Sequence, residues 1–177
     1  MKYYTGIGSR ETPSHILQYM GLCAIKLNTF DYVLRSGGAP GADLAFEEFA
    51  SNKEIYLPYN GFNLSTSSLY LGGDITQEIW DKAEEIAAKF YHNPWKNTPQ
   101  KTKNYMIRNV FQVLGRDLNT LSEFVICWTP DSKVVGGTAQ AMKIAYDRGI
   151  NVYNVQNFLD RSDLEELILN MQGECNV

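Results

Sequence analysis

Short apolar runs alternate with longer stretches whose apolar residues recur every three or four positions, which predicts strands and helices in turn along most of the chain. Tyr3 to Ile7 is a first strand, stopped by Gly8. Thr12 and Pro13 read as cap and first position of a helix whose apolar stripe is Ile16, Met20, Cys23 and Leu27. Tyr32 to Leu34 is a second strand. The helix after it carries Leu44, Phe46, Glu47 and Phe49, and Ile55 to Leu57 is a third strand ended by Pro58. The pattern then dissolves from Tyr59 to Gly73 into Asn-Gly, Ser-Thr-Ser-Ser and Gly-Gly, and a loop of that length in a compact domain is more often functional than filler. Residues 59–75 are therefore expected to form a lid or insertion.

Helical spacing returns at Ile79, Ala83, Ile86, Ala87 and Phe90, with Thr76 as cap. It breaks at Asn93-Pro94-Trp95 through Pro99, and a second helix runs from Lys101 to Leu114. Phe124 to Trp128 reads as a buried strand, Thr138 to Arg148 as a helix and Asn151 to Val155 as a strand. Leu164, Leu167, Ile168 and Met171 mark a closing helix. Strands separated by helices predict an α/β, Rossmann-like, doubly wound parallel sheet with helices on both faces. Ligands of such sheets bind beyond the carboxyl ends of the strands. No repeat or linker divides the chain, so residues 1–177 are expected to form a single domain.

Composition narrows the partners. A chain of 177 residues fills one core, and a net charge of −4 argues against gripping nucleic acid by bulk charge. Cys23, Cys127 and Cys175 are far apart with no C-x-x-C pair, and His15 and His92 are the only histidines, so neither a disulfide framework nor a zinc site is expected. No cationic leader or long apolar stretch is present, which points to a cytoplasmic protein with no membrane partner.

Two glycine-rich turns carry the strongest chemical signal. Arg35-Ser36-Gly37-Gly38-Ala39-Pro40-Gly41-Ala42-Asp43 and Val134-Val135-Gly136-Gly137-Thr138 each follow an apolar run and open into a helix. Glycine lets backbone N–H groups converge on an oxyanion, and the helix start adds about half a positive charge. Both turns fall on the ligand-binding edge of the predicted sheet. Neither fits the P-loop or dinucleotide-binding patterns. Gly8, Ser9 and Arg10 add a third small turn with a hydroxyl and a guanidinium, and Arg35, directly after a strand, is expected to face the same pocket.

Other residues admit two readings. Asp43 and Glu47 share a helix face and could do acid–base work, although the helix dipole alone favours acids in a first turn. Lys101, Lys103, Arg108 and Arg116, interleaved with Tyr105 and Phe111, could follow a single strand of DNA; a solvated helix face accounts for them as well.

Five segments in order resemble the SLOG superfamily: Tyr4 to Arg10, Arg35 to Asp43, Leu57 to Asn60, Met106 to Asn109, and Gly136 to Ala141. Closest is the branch of DNA-processing protein A (DprA/Smf), whose Ser-Gly-x-Ala-x-Gly-x-Asp turn matches Ser36, Gly37, Ala39, Gly41 and Asp43 and whose Arg-Asn pair matches Arg108 and Asn109. That likeness implies binding of single-stranded DNA, but no counterpart of an appended helical DNA-binding domain is expected within these 177 residues. Lonely Guy (LOG) nucleotide hydrolases are more distantly similar and imply N-glycosidic cleavage. Where their catalytic glutamate follows the second turn, this chain has Ala139, Gln140 and Ala141, and Gln140 could only hydrogen-bond a ribose.

The resemblance therefore implies that the chain holds a small phosphorylated nucleotide, as a sensor or as a phage-type sponge for a signalling molecule, without a metal or other cofactor. Gly8, Ser9, Arg10, Arg35, Ser36, Gly37, Gly38, Asp43, Thr129, Gly136, Gly137 and Thr138 are the expected ligand contacts. Pairing into a homo-oligomer is expected as well.

Overall fold

The computed structural model describes residues 1–134 and 136–175. Five parallel strands, β1 (Lys2–Gly6), β2 (Tyr32–Ser36), β3 (Lys53–Ile55), β4 (Phe124–Cys127) and β5 (Asn151–Asn154), form one sheet in the order β3-β2-β1-β4-β5. The helices are α1 (Ser14–Asn28), α2 (Ala42–Phe49), α3 (Gln77–Phe90), α4 (Gln100–Leu114), α5 (Gly136–Asp147) and α6 (Phe158–Cys175). The chain winds outward from β1 to β3 and then crosses back to place β4 on the other side of β1. The strand order thus reverses between β1 and β4, and a crevice opens there beyond the carboxyl ends of the strands. None of the described helices is long and apolar enough to cross a membrane.

Each face of the sheet is covered by helices whose apolar stripes the strand residues meet. Ile16, Met20 and Leu27 of α1, Phe46 of α2, and Leu164 and Ile168 of α6 pack with Tyr4, Leu34, Phe124 and Ile126. On the other face, Trp80, Ala83 and Ala87 of α3, Ile107, Val110 and Phe111 of α4, and Met142 and Ile144 of α5 pack with Val125 and Cys127. Adjacent strand residues thus serve opposite cores, as a two-residue period requires.

The helix starts differ from expectation at two places. α1 begins at Ser14 with Pro13 as its flanking residue, because the Thr12 hydroxyl donates to the Ser9 carbonyl at 2.7 Å instead of capping the helix. α5 begins at Gly136, so both glycines of the second turn belong to its first turn. Thr76 caps α3 as expected, accepting from the Ile79 N–H at 3.4 Å.

α4 is the central helix of its layer, flanked by α3 and α5 and seated on the sheet, and Met106 to Leu114 is buried without a break. The chain returns from α4 to β4 through a loop closed by Asp117. Its carboxylate accepts from the Thr120 N–H at 2.8 Å and the Asn119 N–H at 3.0 Å. These donors hold its pKa down at about 2. The loop in turn presents the Thr120 carbonyl to Arg35.

An unfolded aspartate titrates near 3.9, so the ionised Asp117 stabilises the fold above that value, and its contribution is lost as pH falls from about 4 to about 2. Thermal melts of the chain and of Asp117→Asn should differ most at neutral pH and converge at about pH 2. A gap that stays constant across that window would show that the cap adds no stability.

Candidate functional site

A cavity of about 490 Å³ lies at the β1/β4 crevice. The loop after β1 supplies Ile7, Gly8, Ser9, Arg10 and Glu11 to one wall, and the start of α5 supplies Gly136, Gly137 and Thr138 to another. α4 supplies Tyr105, Met106, Arg108, Asn109 and Gln112, and Ala39, Asp43, Thr129, Pro130 and Ala141 complete the lining. The sequence-expected residues Gly8, Ser9, Arg10, Asp43, Thr129, Gly136, Gly137 and Thr138 therefore come together in one place.

The wall after β1 is fixed by backbone geometry. Gly41, at φ +89, precedes α2, and a Cβ there would sit 2.7 Å from the Ser9 carbonyl oxygen and 2.8 Å from Arg10 Cα. Its absence lets the β1 loop lie directly on the start of α2, where Ala42 N–H donates to the Ser9 carbonyl at 3.4 Å. The Ser9 hydroxyl accepts from the Glu11 N–H at 3.0 Å, which orders the turn before Arg10. Thr129 is held by Asn154, whose side-chain amide donates to the Thr129 hydroxyl at 2.6 Å while its oxygen accepts from the Thr129 N–H at 3.3 Å.

The centre of the site is an ion pair out of water. Arg108 Nη1 lies 3.2 Å from Asp43 Oδ2, and both side chains are more than nine-tenths buried. Asp43 also accepts from the Ala39 N–H at 3.4 Å and from the Gly37 N–H, so its carboxylate occupies the concave side of the first glycine turn. Burial pushes the Asp43 carboxyl above its ordinary value, against the pull of Arg108 and of these N–H groups. Burial likewise lowers the Arg108 pKa while Asp43 supports the charge, and Arg10 stands near enough to lower it further. A Cβ on Gly37 would overlap Arg108 Nη1, so glycine is required for the guanidinium to reach Asp43.

Two buried donors in the lining remain unused. Arg108 Nε and Gln112 Nε2, four residues apart on α4 and so on one face, find no hydrogen-bond acceptor among the described residues. A buried donor without an acceptor costs free energy comparable to its desolvation, on the order of 1–3 kcal/mol. Asn109 is committed: its amide donates to the Gly137 carbonyl at 3.1 Å and to Gln140 Oε1 at 3.2 Å. Gln140 donates onward to the Ala87 carbonyl at 3.0 Å, so it braces α3, α4 and α5 together, and it is not among the residues that line the cavity.

Several expected contacts lie elsewhere. Arg35 does not face this cavity. Its side chain runs along the α3/α4 face of the sheet, where Nε pairs with Glu54 at 2.8 Å, Nη1 donates to the Thr120 carbonyl, and the guanidinium lies 3.7 Å from the Tyr3 ring centroid. There it borders a separate cavity that Arg116 also lines. The Ser36 hydroxyl donates to the Gly6 carbonyl at 2.7 Å, and Gly38 turns toward Ile55 and Leu57, so both support the turn from behind. Glu47 lies outside the cavity, beside Lys53 and Ser65 to Leu69, with its carboxyl raised first by burial.

The four cations expected along one DNA track are dispersed. Arg108 is buried against Asp43, and Arg116 lies beyond the far end of α4. Lys103 sits over Trp95 and within 3.7 Å of Glu84, while Lys101 is exposed. Residues 59–75 pack along β3 and do not cover the cavity. Asn63 donates to the Gly38 carbonyl at 3.0 Å, and Phe62 stands edge-on to Tyr105 at 5.7 Å, so the segment touches only the rim. Gln112 carried no functional reading in the sequence. Its signal was a polar residue one helical turn after Arg108 inside an otherwise apolar run.

No protein-family model, curated protein or solved structure matches the chain.

Removing Arg108 alone leaves Asp43 buried without its cation, which should cost about 3 kcal/mol of stability. Arg108→Met combined with Asp43→Asn should recover more than about 1 kcal/mol of the summed single losses, as contacting residues do. Urea denaturation of the two single variants and the double variant measures this, and simple additivity would mean that the pair does not hold the site together.

Proposed function

We propose that the chain binds a small phosphorylated nucleotide in the β1/β4 cavity, as a holder or sensor of that molecule. The observation that carries this reading is the pair of buried, acceptor-less donors, Arg108 Nε and Gln112 Nε2, on residues that line the same cavity as Gly136, Gly137 and Thr138 at the start of α5. α5 has no acidic residue in its first turn, so its partial positive charge is open to an anion. A phosphoryl group suits that arrangement because it brings several acceptor oxygens together with negative charge. Tyr105 and Met106 give a nucleoside an aromatic and a polarisable surface along the same lining.

The cavity's volume suits a mononucleotide-sized ligand. Asp43 is the only buried carboxylate among the described lining residues, and it is already engaged by Arg108 and the turn N–H groups, which supports holding over cleavage.

Gly137→Val tests the cavity with little risk to the fold, because a Cβ at Gly137 meets only Met106 Cε, at 3.8 Å. Calorimetry with adenosine and guanosine monophosphates and their cyclic forms should reveal binding by at least one of them. For that nucleotide, Gly137→Val should weaken affinity by at least about tenfold, the loss of one charge-assisted contact, and Arg116→Ala should leave it unchanged. Wild-type affinity in Gly137→Val, or a loss confined to Arg116→Ala, would place binding outside this cavity and overturn the proposal.

A further inference from the structure

Two helix starts border the cavity, and the chain treats them differently. At the start of α2 the place is filled. The Asp43 carboxylate accepts there from the Gly37 and Ala39 N–H groups and from Arg108 Nη1, with its side chain 5% exposed. The first turn of α5 carries no such carboxylate of its own. Gly136, Gly137 and Thr138 line the cavity with no acidic residue in that first turn, and the unused donors Arg108 Nε and Gln112 Nε2 belong to the same lining.

We infer that Asp43 is a specificity-determining residue: a built-in anion that fills the first glycine turn and limits the cavity to ligands presenting a single phosphoryl group. The inference rests on the phosphate-binding reading above. A second phosphoryl group seeking the first turn would meet a carboxylate that already holds its N–H groups. It would also meet like charge on a carboxylate that is itself buried. Arg108 serves both ends, with Nη1 neutralising Asp43 and Nε left for the ligand. The Gly37 position is what makes this division reachable, since any side chain there would push Arg108 off the carboxylate.

Titration calorimetry with inorganic phosphate and inorganic pyrophosphate tests this on the unmodified chain and on two variants. The unmodified chain should bind pyrophosphate no more tightly than phosphate. Asp43→Ala, which empties the turn, should shift the ratio toward pyrophosphate by about tenfold, the worth of one added charge-assisted contact. Asp43→Asn, which keeps the shape and an acceptor oxygen but removes the charge, should shift it in the same direction and serves if the alanine variant does not fold. A pyrophosphate preference of about tenfold in the unmodified chain, or a ratio unchanged in the folded variants, would overturn the role given to Asp43 while leaving phosphate binding in place. Binding of neither anion would overturn the phosphate reading itself.

Discussion

The site depends on one buried ion pair. Arg108 on α4 and Asp43 at the start of α2 meet across the edge of the sheet from helices on opposite faces, so their contact ties the two layers together at the crevice. Burying both charges is costly unless each finds further partners, and Asp43 finds them in the N–H groups of the first glycine turn. The glycines follow from that need. Gly37 leaves room for the guanidinium, and Gly41 lets the β1 loop close over the start of α2. Arg108 keeps its buried Nε without an acceptor among the described residues, and that residual demand is what the proposed ligand would meet.

The surrounding elements hold this pair in register. Asn109 and Gln140 brace α3, α4 and α5 through side-chain amides, which fixes the start of α5 relative to Arg108. Asn154 locks Thr129 at the end of β4. These groups are buried and hydrogen-bonded, so the start of α5 and the unused donors are held on a braced frame. A binding site formed before its ligand arrives loses less freedom on binding.

The strands and helices were legible because their signal is local. The stripe Ile16, Met20, Cys23 and Leu27 marks α1, and all four residues are buried in the fold. Strand alternation also held the information needed to place Arg35. Leu34 packs toward α1 and α2, so its neighbour Arg35 turns to the opposite face, whereas its place at the strand end suggested the crevice. Arg108 was harder to place. A cation on an amphipathic helix reads as solvated, but α4 is enclosed by α3, α5 and the sheet, and enclosure is a tertiary property. Its trace in the sequence is only that Arg108 and Gln112 fall within the stretch Met106 to Leu114, where apolar residues dominate. The first glycine turn was recognised as an anion site, yet the anion it holds is the chain's own Asp43, four residues past Ala39.

The most direct test of the account is an NMR titration that follows backbone amides and arginine Nε–H signals as adenosine 5′-monophosphate, or whichever mononucleotide binds best, is added. The account predicts large shifts at Gly137, Thr138 and Arg108 Nε, with Gly37 and Ala39 little changed because Asp43 continues to hold them. Large shifts at Gly37 and Ala39 with none at the start of α5, or shifts confined to the Arg35 and Arg116 cavity, would contradict it.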